Sequence, residues 1–104
     1  MKKISLDQAH VEAGVGEKLE LRVKGAGTTG RKWTAIADPE LVRIEKYRLP
    51  AEGAIGGRGE EVFLFEALKP GKVRVRMQLK PPWSEAADEE SEIEIEAIGQ
   101  QNAE

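Results

Sequence analysis

The chain has 104 residues, no cysteine, one histidine and a formal charge of −3, with 34% of its residues charged. One domain spanning 1–104 is expected at this length, able to bury roughly two-thirds of the surface that the unfolded chain exposes. The composition excludes disulfides, thiolate metal sites and thiol nucleophiles, and the acidic balance argues against a nucleic-acid binder that works by neutralising phosphates.

The first strand is predicted near 2–8, within "KKISLDQ". In 17–24, Leu19, Leu21 and Val23 alternate with Lys18, Glu20, Arg22 and Lys24. Alternating side chains on a strand point to opposite faces, so this run has one wet and one buried side. A third strand is predicted over 31–37 and a fourth over 41–48. The fifth, 60–68, is apolar on both parities (Val62 and Leu64, Phe63 and Phe65), as expected of a strand covered on both sides. In 72–80, Val73, Val75, Met77 and Leu79 alternate with a basic set, and in 90–98, Ile93, Ile95 and Ala97 alternate with glutamates. These last two strands should pair, because their outward faces carry opposite charge.

About seven short strands and no stretch with helical spacing predict an all-β fold, an immunoglobulin-like antiparallel β-sandwich. The seven acidic residues between Glu85 and Glu96 read as a solvated strand face and a polar loop, since alternating acids do not converge on a cation as a chelating loop must.

Turn chemistry sorts the connections. Asp38-Pro39-Glu40 and Lys69-Pro70-Gly71 are short turns. The connections 25–30, 49–59 and 81–89 are long and rich in glycine and proline. In simple antiparallel alternation every second connection lies at the same end, so these three long loops should cluster at one end. Stability alone does not ask for that arrangement, since long loops cost closure entropy and pack poorly. That end is therefore the expected working surface.

Catalytic chemistry is thin. His10 lies in the connection between the first two strands, which parity puts at the opposite end, so no Ser–His–acid set can assemble. No metal-ligand spacing occurs. "GAIGGRG" at 53–59 does not open a helix, so the dipole end that holds phosphate in a nucleotide loop is missing. The reading is of a non-enzyme with no cofactor and no metal.

The longest apolar run, Val62-Phe63-Leu64-Phe65, is far below the roughly 20 residues that cross a bilayer. Asp7, Gln8, His10 and Glu12 interrupt any signal-peptide core after "MKKISL". The expectation is a soluble monomer without a membrane partner, its outer strands charged enough to discourage edge pairing. It would be cytoplasmic as it stands, or periplasmic or secreted where a leader has been removed.

Taken together, the three loops resemble those of chagasin-type inhibitors of papain-family cysteine peptidases, immunoglobulin-like sandwiches that use three loops at one end as a wedge. The segments that carry the resemblance are Ala26-Gly27-Thr28-Thr29-Gly30-Arg31-Lys32-Trp33, then Gly53-Ala54-Ile55-Gly56-Gly57-Arg58-Gly59, then Lys80-Pro81-Pro82-Trp83. By resemblance the partner is a papain-family cysteine peptidase, blocked by loops 26–33, 53–59 and 80–85. The binding residues it implies are Thr28, Thr29, Gly30, Gly56, Gly57, Arg58, Pro82 and Trp83. Thr28 and Thr29 would lie against the target's catalytic cysteine without offering an aligned scissile carbonyl.

Departures stand at the tips. Ala26-Gly27 occupies the family's Asn-Pro, Arg31 an aromatic position, and Pro81 the position of an arginine. Loss of the proline removes a fixed φ that pre-shapes the loop, which predicts a weaker or narrower inhibitor than members with the full motif. Trp33, opening a strand, is expected in the core, whereas Trp83, braced by two prolines, is the expected binding anchor. The alternative is an immunoglobulin-like module that binds a protein or a glycan without inhibiting a peptidase.

Overall fold

The computed structural model describes residues 2–24, 31–49 and 59–99. It contains eight strands: β1 (Lys2–Ile4), β2 (His10–Gly14), β3 (Lys18–Lys24), β4 (Lys32–Ile36), β5 (Val42–Leu49), β6 (Glu60–Ala67), β7 (Gly71–Lys80) and β8 (Glu89–Ile98). They form two four-stranded sheets, ordered β1-β3-β6-β5 and β2-β8-β7-β4. No helix among the described residues is long and apolar enough to cross a membrane.

The inward alternation builds the core. The first sheet contributes Leu19, Leu21, Val23, Val42, Phe63 and Phe65, and the second Val11, Trp33, Val73, Val75, Met77, Ile93 and Ile95, all buried. Phe63 and Phe65 stack with ring centroids 6.3 Å apart. Residues two apart on one strand share a face, which brings these two rings together.

Two expectations change. The sheets are mixed rather than antiparallel, because β1 runs parallel to β3 and β2 parallel to β8. The additional strand is β2, which lies where the sequence suggested only a connection. Its inward residues, Val11 and Ala13, are small and few, so the alternation is faint before it docks on β8. His10 accordingly does not sit at the far end. It opens β2 opposite Glu94, midway along β8, with Nε2 3.1 Å from Glu96 Oε1.

The cover over β6 also has a different origin. Val62 points outward yet has no accessible surface. Its cross-strand neighbours are Arg22 and Tyr47, whose long side chains flank it in the same row and can shield a small residue without a third layer. Beside them Glu20, buried, accepts a 2.5 Å hydrogen bond from Arg22 Nε. That bond, reinforced by the Glu20 charge, raises the Arg22 pKa further above its ordinary value.

β7 and β8 pair as their charges suggest, with Lys72 opposite Glu96, Arg74 opposite Glu94 and Arg76 opposite Glu92. The ion pairs formed are diagonal, Lys72 to Glu94 at 3.8 Å and Arg76 to Glu90 at 3.6 Å. Long side chains reach the diagonal neighbour easily on a twisted sheet.

Glycine takes two turns that other residues resist. Gly16 has φ 90° in the turn closed by Glu17 N–H donating to the Gly14 carbonyl, and Gly71 has φ 126° after Pro70. Both are in the left-handed half of the map, where a Cβ is strained.

Candidate functional site

Strand register places the feet of the three long loops together. In the first sheet Lys24 is paired with Glu60, and Glu60 with Leu49. In the second, Lys32 is paired with Lys80, and Leu79 with Glu89. Apart from Leu79, one place short of its strand's end, these residues are the last or first of their strands beside the long connections, so all three connections leave from one end. The 25–30 connection joins β3 in one sheet to β4 in the other, whereas the other two connections each join neighbouring strands of a single sheet. The tight turns 38–41 and 68–70 lie at the opposite end, where Leu68 N–H donates to the Leu41 carbonyl at 2.8 Å.

Of the expected binding residues, Pro82 and Trp83 are described. Thr28, Thr29, Gly30, Gly56, Gly57 and Arg58 lie outside the described residues. Trp83 is 76% exposed, more than any other large hydrophobic residue of the described chain. It sits in a turn closed by Ser84 N–H donating to the Pro81 carbonyl at 3.2 Å, with Pro81 buried beneath and Pro82 at the position where a fixed φ favours the turn.

The rest of that loop is braced from within. Lys80 Nζ donates to the Ser84 carbonyl at 2.7 Å. Ser84 Oγ donates to the Ala86 carbonyl and accepts from Ala86 N–H, both at 3.1 Å. Asp88 N–H donates to the Leu79 carbonyl at 2.7 Å, closing the neck. Asp88 also pairs with Arg31 at 3.1 Å, joining the foot of the 81–88 loop to the exit of the 25–30 connection. An indole held out on a loop braced by these hydrogen bonds is suited to enter a pocket, because little ordering remains to be done on contact.

Trp33 plays the opposite part. It is buried at the start of β4, and its indole N–H donates to the Lys24 carbonyl at 3.1 Å. Lys24 and Trp33 flank the 25–30 connection, so one hydrogen bond ties its two feet across the sheets. Further residues at this end escaped the sequence reading. Glu61 takes a core-facing position on β6 and is 1% exposed. Lys46 Nζ is 3.2 Å from Glu61 Oε1 and donates to the Trp33 carbonyl at 2.8 Å, and Arg48 reaches Glu61 Oε2 at 3.9 Å. A signal was present, since Lys46 and Arg48 share the parity of Val42 and Ile44, and Glu61 that of Phe63 and Phe65. Opposite charges on the apolar parity of neighbouring strands mark a buried carboxylate reached by the ends of two longer, more exposed cations. No group of acidic or histidine residues able to hold a metal ion occurs among the described residues.

The feet of three long connections at one end of a two-sheet body, with a presented tryptophan, fit the geometry expected of the inhibitors that the loops resemble. The family described as Chagasin family peptidase inhibitor I42 matches residues 12–97. The chain belongs to this chagasin family. It is a family of inhibitors, not of enzymes. No curated protein sequence matches the chain.

Solved structures share the fold at low identity. The cysteine protease inhibitor EhICP2 from Entamoeba histolytica superposes with a TM-score of 0.80 at 10% identity, over 93% of this chain and 94% of that one. Amebosin gives 0.78 at 16% identity, over 93% and 97%. PbICP-C, solved in complex with falcipain-2, gives 0.63 at 18% identity, over 96% and 100%. Identities this low with the sandwich retained show the likeness of fold alone.

Proposed function

We propose that this chagasin-family protein inhibits papain-family cysteine peptidases by seating its loop end in the active-site cleft, with Trp83 as the anchoring side chain. The observation that carries the reading is the presentation of Trp83, largely exposed on a closed, internally hydrogen-bonded turn at the end where all three long loops leave the sandwich. The complex of PbICP-C with falcipain-2 supports a peptidase as the partner.

Three sets of contacts make up the mechanism. Thr28 and Thr29, in the connection that passes between the sheets, occupy the centre of the wedge and lie near the catalytic cysteine. Gly56, Gly57 and Arg58 settle on one side, and Pro82 and Trp83 on the other. Nothing in the inhibitor needs to react. Blockade follows from filling the cleft without an aligned scissile carbonyl, and a standard interface of about 800 Å² per partner is within reach of three loops. Ala26-Gly27 leaves the central segment without proline's restraint, so its ordering on binding costs about 1 kcal/mol per freed residue. Inhibition weaker than that of members with Asn-Pro is expected.

Titration of active-site-titrated papain with the purified protein, read by hydrolysis of a fluorogenic peptide, tests this. The expected result is competitive, reversible inhibition with the inhibitor recovered intact. A folded protein that leaves papain and related peptidases fully active would instead support the binding-module reading.

A further inference from the structure

Glu61 and Lys46 pose a physical puzzle. The inward row of β6 runs Glu61, Phe63, Phe65, Ala67, so a carboxylate occupies a core-facing slot beside Val23 and Arg48. Neither Glu61 oxygen accepts a directed hydrogen bond. The 3.2 Å approach of Lys46 Nζ is therefore ionic contact at an oblique angle. Buried polar groups are nearly always satisfied, and an exception asks for an explanation. Stability does not provide one, since the Glu61 carboxylate is desolvated at 1% exposure while its lysine partner stays 38% exposed, and replacing such a charge together with its partner by apolar side chains is often neutral or favourable.

The placement of the pair is what distinguishes it. Lys46 belongs to the first sheet, but its ammonium donates to the Trp33 carbonyl in the second, and it stands 5.4 Å over the Phe63 ring. Trp33 in turn donates to the Lys24 carbonyl, back in the first sheet. Lys24 and Trp33 are the feet of the 25–30 connection, and Arg48 and Glu61 stand at the feet of the 50–58 connection. One cluster therefore links four loop feet and both sheets beneath the rim.

We propose that Glu61 and Lys46 are positioning residues for peptidase inhibition. Their charge pair, a buried carboxylate with a half-buried ammonium, fixes the separation of the two sheets at the loop end, and so holds the loop feet Lys24, Trp33, Arg48 and Glu61 in the spacing that inhibition requires. This rests on the inhibitory reading of the rim. Two apolar side chains could fill the same volume, but they could not hold a backbone carbonyl of the opposite sheet. The ammonium ion does so, and the Glu61 carboxylate 3.2 Å away holds it over that carbonyl.

The test compares Lys46→Met, Glu61→Leu and the double variant with the wild type. Three quantities are measured: the urea midpoint, the inhibition constant against papain, and the exchange rate of the Trp33 indole proton by NMR. Lys46→Met should lower the urea midpoint, since it leaves the buried Glu61 carboxylate with Arg48 alone at 3.9 Å, whereas Glu61→Leu strands no buried charge, Lys46 being 38% exposed, and should change the midpoint little. The double variant should regain most of the lost midpoint, yet inhibit about tenfold more weakly and exchange the indole proton about tenfold faster, as one or two loop feet lose their fixed geometry. A double variant with wild-type inhibition and wild-type indole exchange overturns the proposal and leaves the pair a local packing feature. If the wild type itself fails to inhibit, the peptidase reading falls, while the indole exchange still decides whether the pair holds the rim. Should the double variant not fold, Glu61→Gln keeps the volume and removes the charge. It is expected to weaken inhibition and speed indole exchange about threefold, and no change in either quantity overturns the proposal.

Discussion

Replacing Trp83 by alanine separates binding from folding more cleanly than any other single change. The side chain is 76% exposed, which leaves ~190 Å² of a tryptophan's contact area free to be buried by a partner. At about 25 cal/mol per Å² the upper bound on its contribution is ~5 kcal/mol, and truncation of an anchoring tryptophan commonly removes 2–4 kcal/mol of binding. Trp83→Ala should therefore raise the inhibition constant against papain about 30- to 1,000-fold. Its unfolding free energy should stay within about 0.5 kcal/mol of wild type, because the indole contributes little to the core. Trp83→Phe, which keeps a smaller ring on the same turn, should fall between. Inhibition constants from progress curves and urea denaturation of the same preparations provide both numbers. A change of less than threefold in inhibition would refute the assignment of Trp83 as anchor. A large fall in stability would mean that the turn, not the indole, had been lost.

Other consequences follow from the sandwich and its rim. Phe65→Ala removes a fully buried ring stacked on Phe63, and urea denaturation should show a loss of about 3–5 kcal/mol. Gly71→Ala meets no atom within 4 Å of the new Cβ, so its effect is backbone strain alone; the positive φ should make it cost about 1–3 kcal/mol in the same assay. Asp88→Asn breaks the exposed pair with Arg31, worth about 0.2–1 kcal/mol. It should weaken papain inhibition by at most about fivefold at low ionic strength, with the difference shrinking as added salt screens the pair.

The alternation of Leu19, Leu21 and Val23, of Val73 to Leu79 and of Ile93 to Ala97 determined three core-facing rows without help from distant residues, because strand geometry sends neighbours to opposite faces whatever the partner. Pro70-Gly71 and Asp38-Pro39 likewise set the tight turns locally, and turn lengths then put the long loops at one end. Burial of Trp33 and exposure of Trp83 were legible for the same reason, one opening a patterned strand and the other following two prolines.

What alternation cannot convey is which strand lies alongside. The parallel docking of β1 on β3 and of β2 on β8 depends on edges that exist only once β3 and β8 are placed, so Val11 and Ala13 carried too little apolar signal to be read ahead of the fold. Likewise Glu61 is an ordinary acidic residue until Lys46, Arg48 and the Trp33 carbonyl arrive from other strands. Free energies of buried charges depend on neighbours brought close by tertiary contact, and that part of the rim was decided by the packing of two sheets.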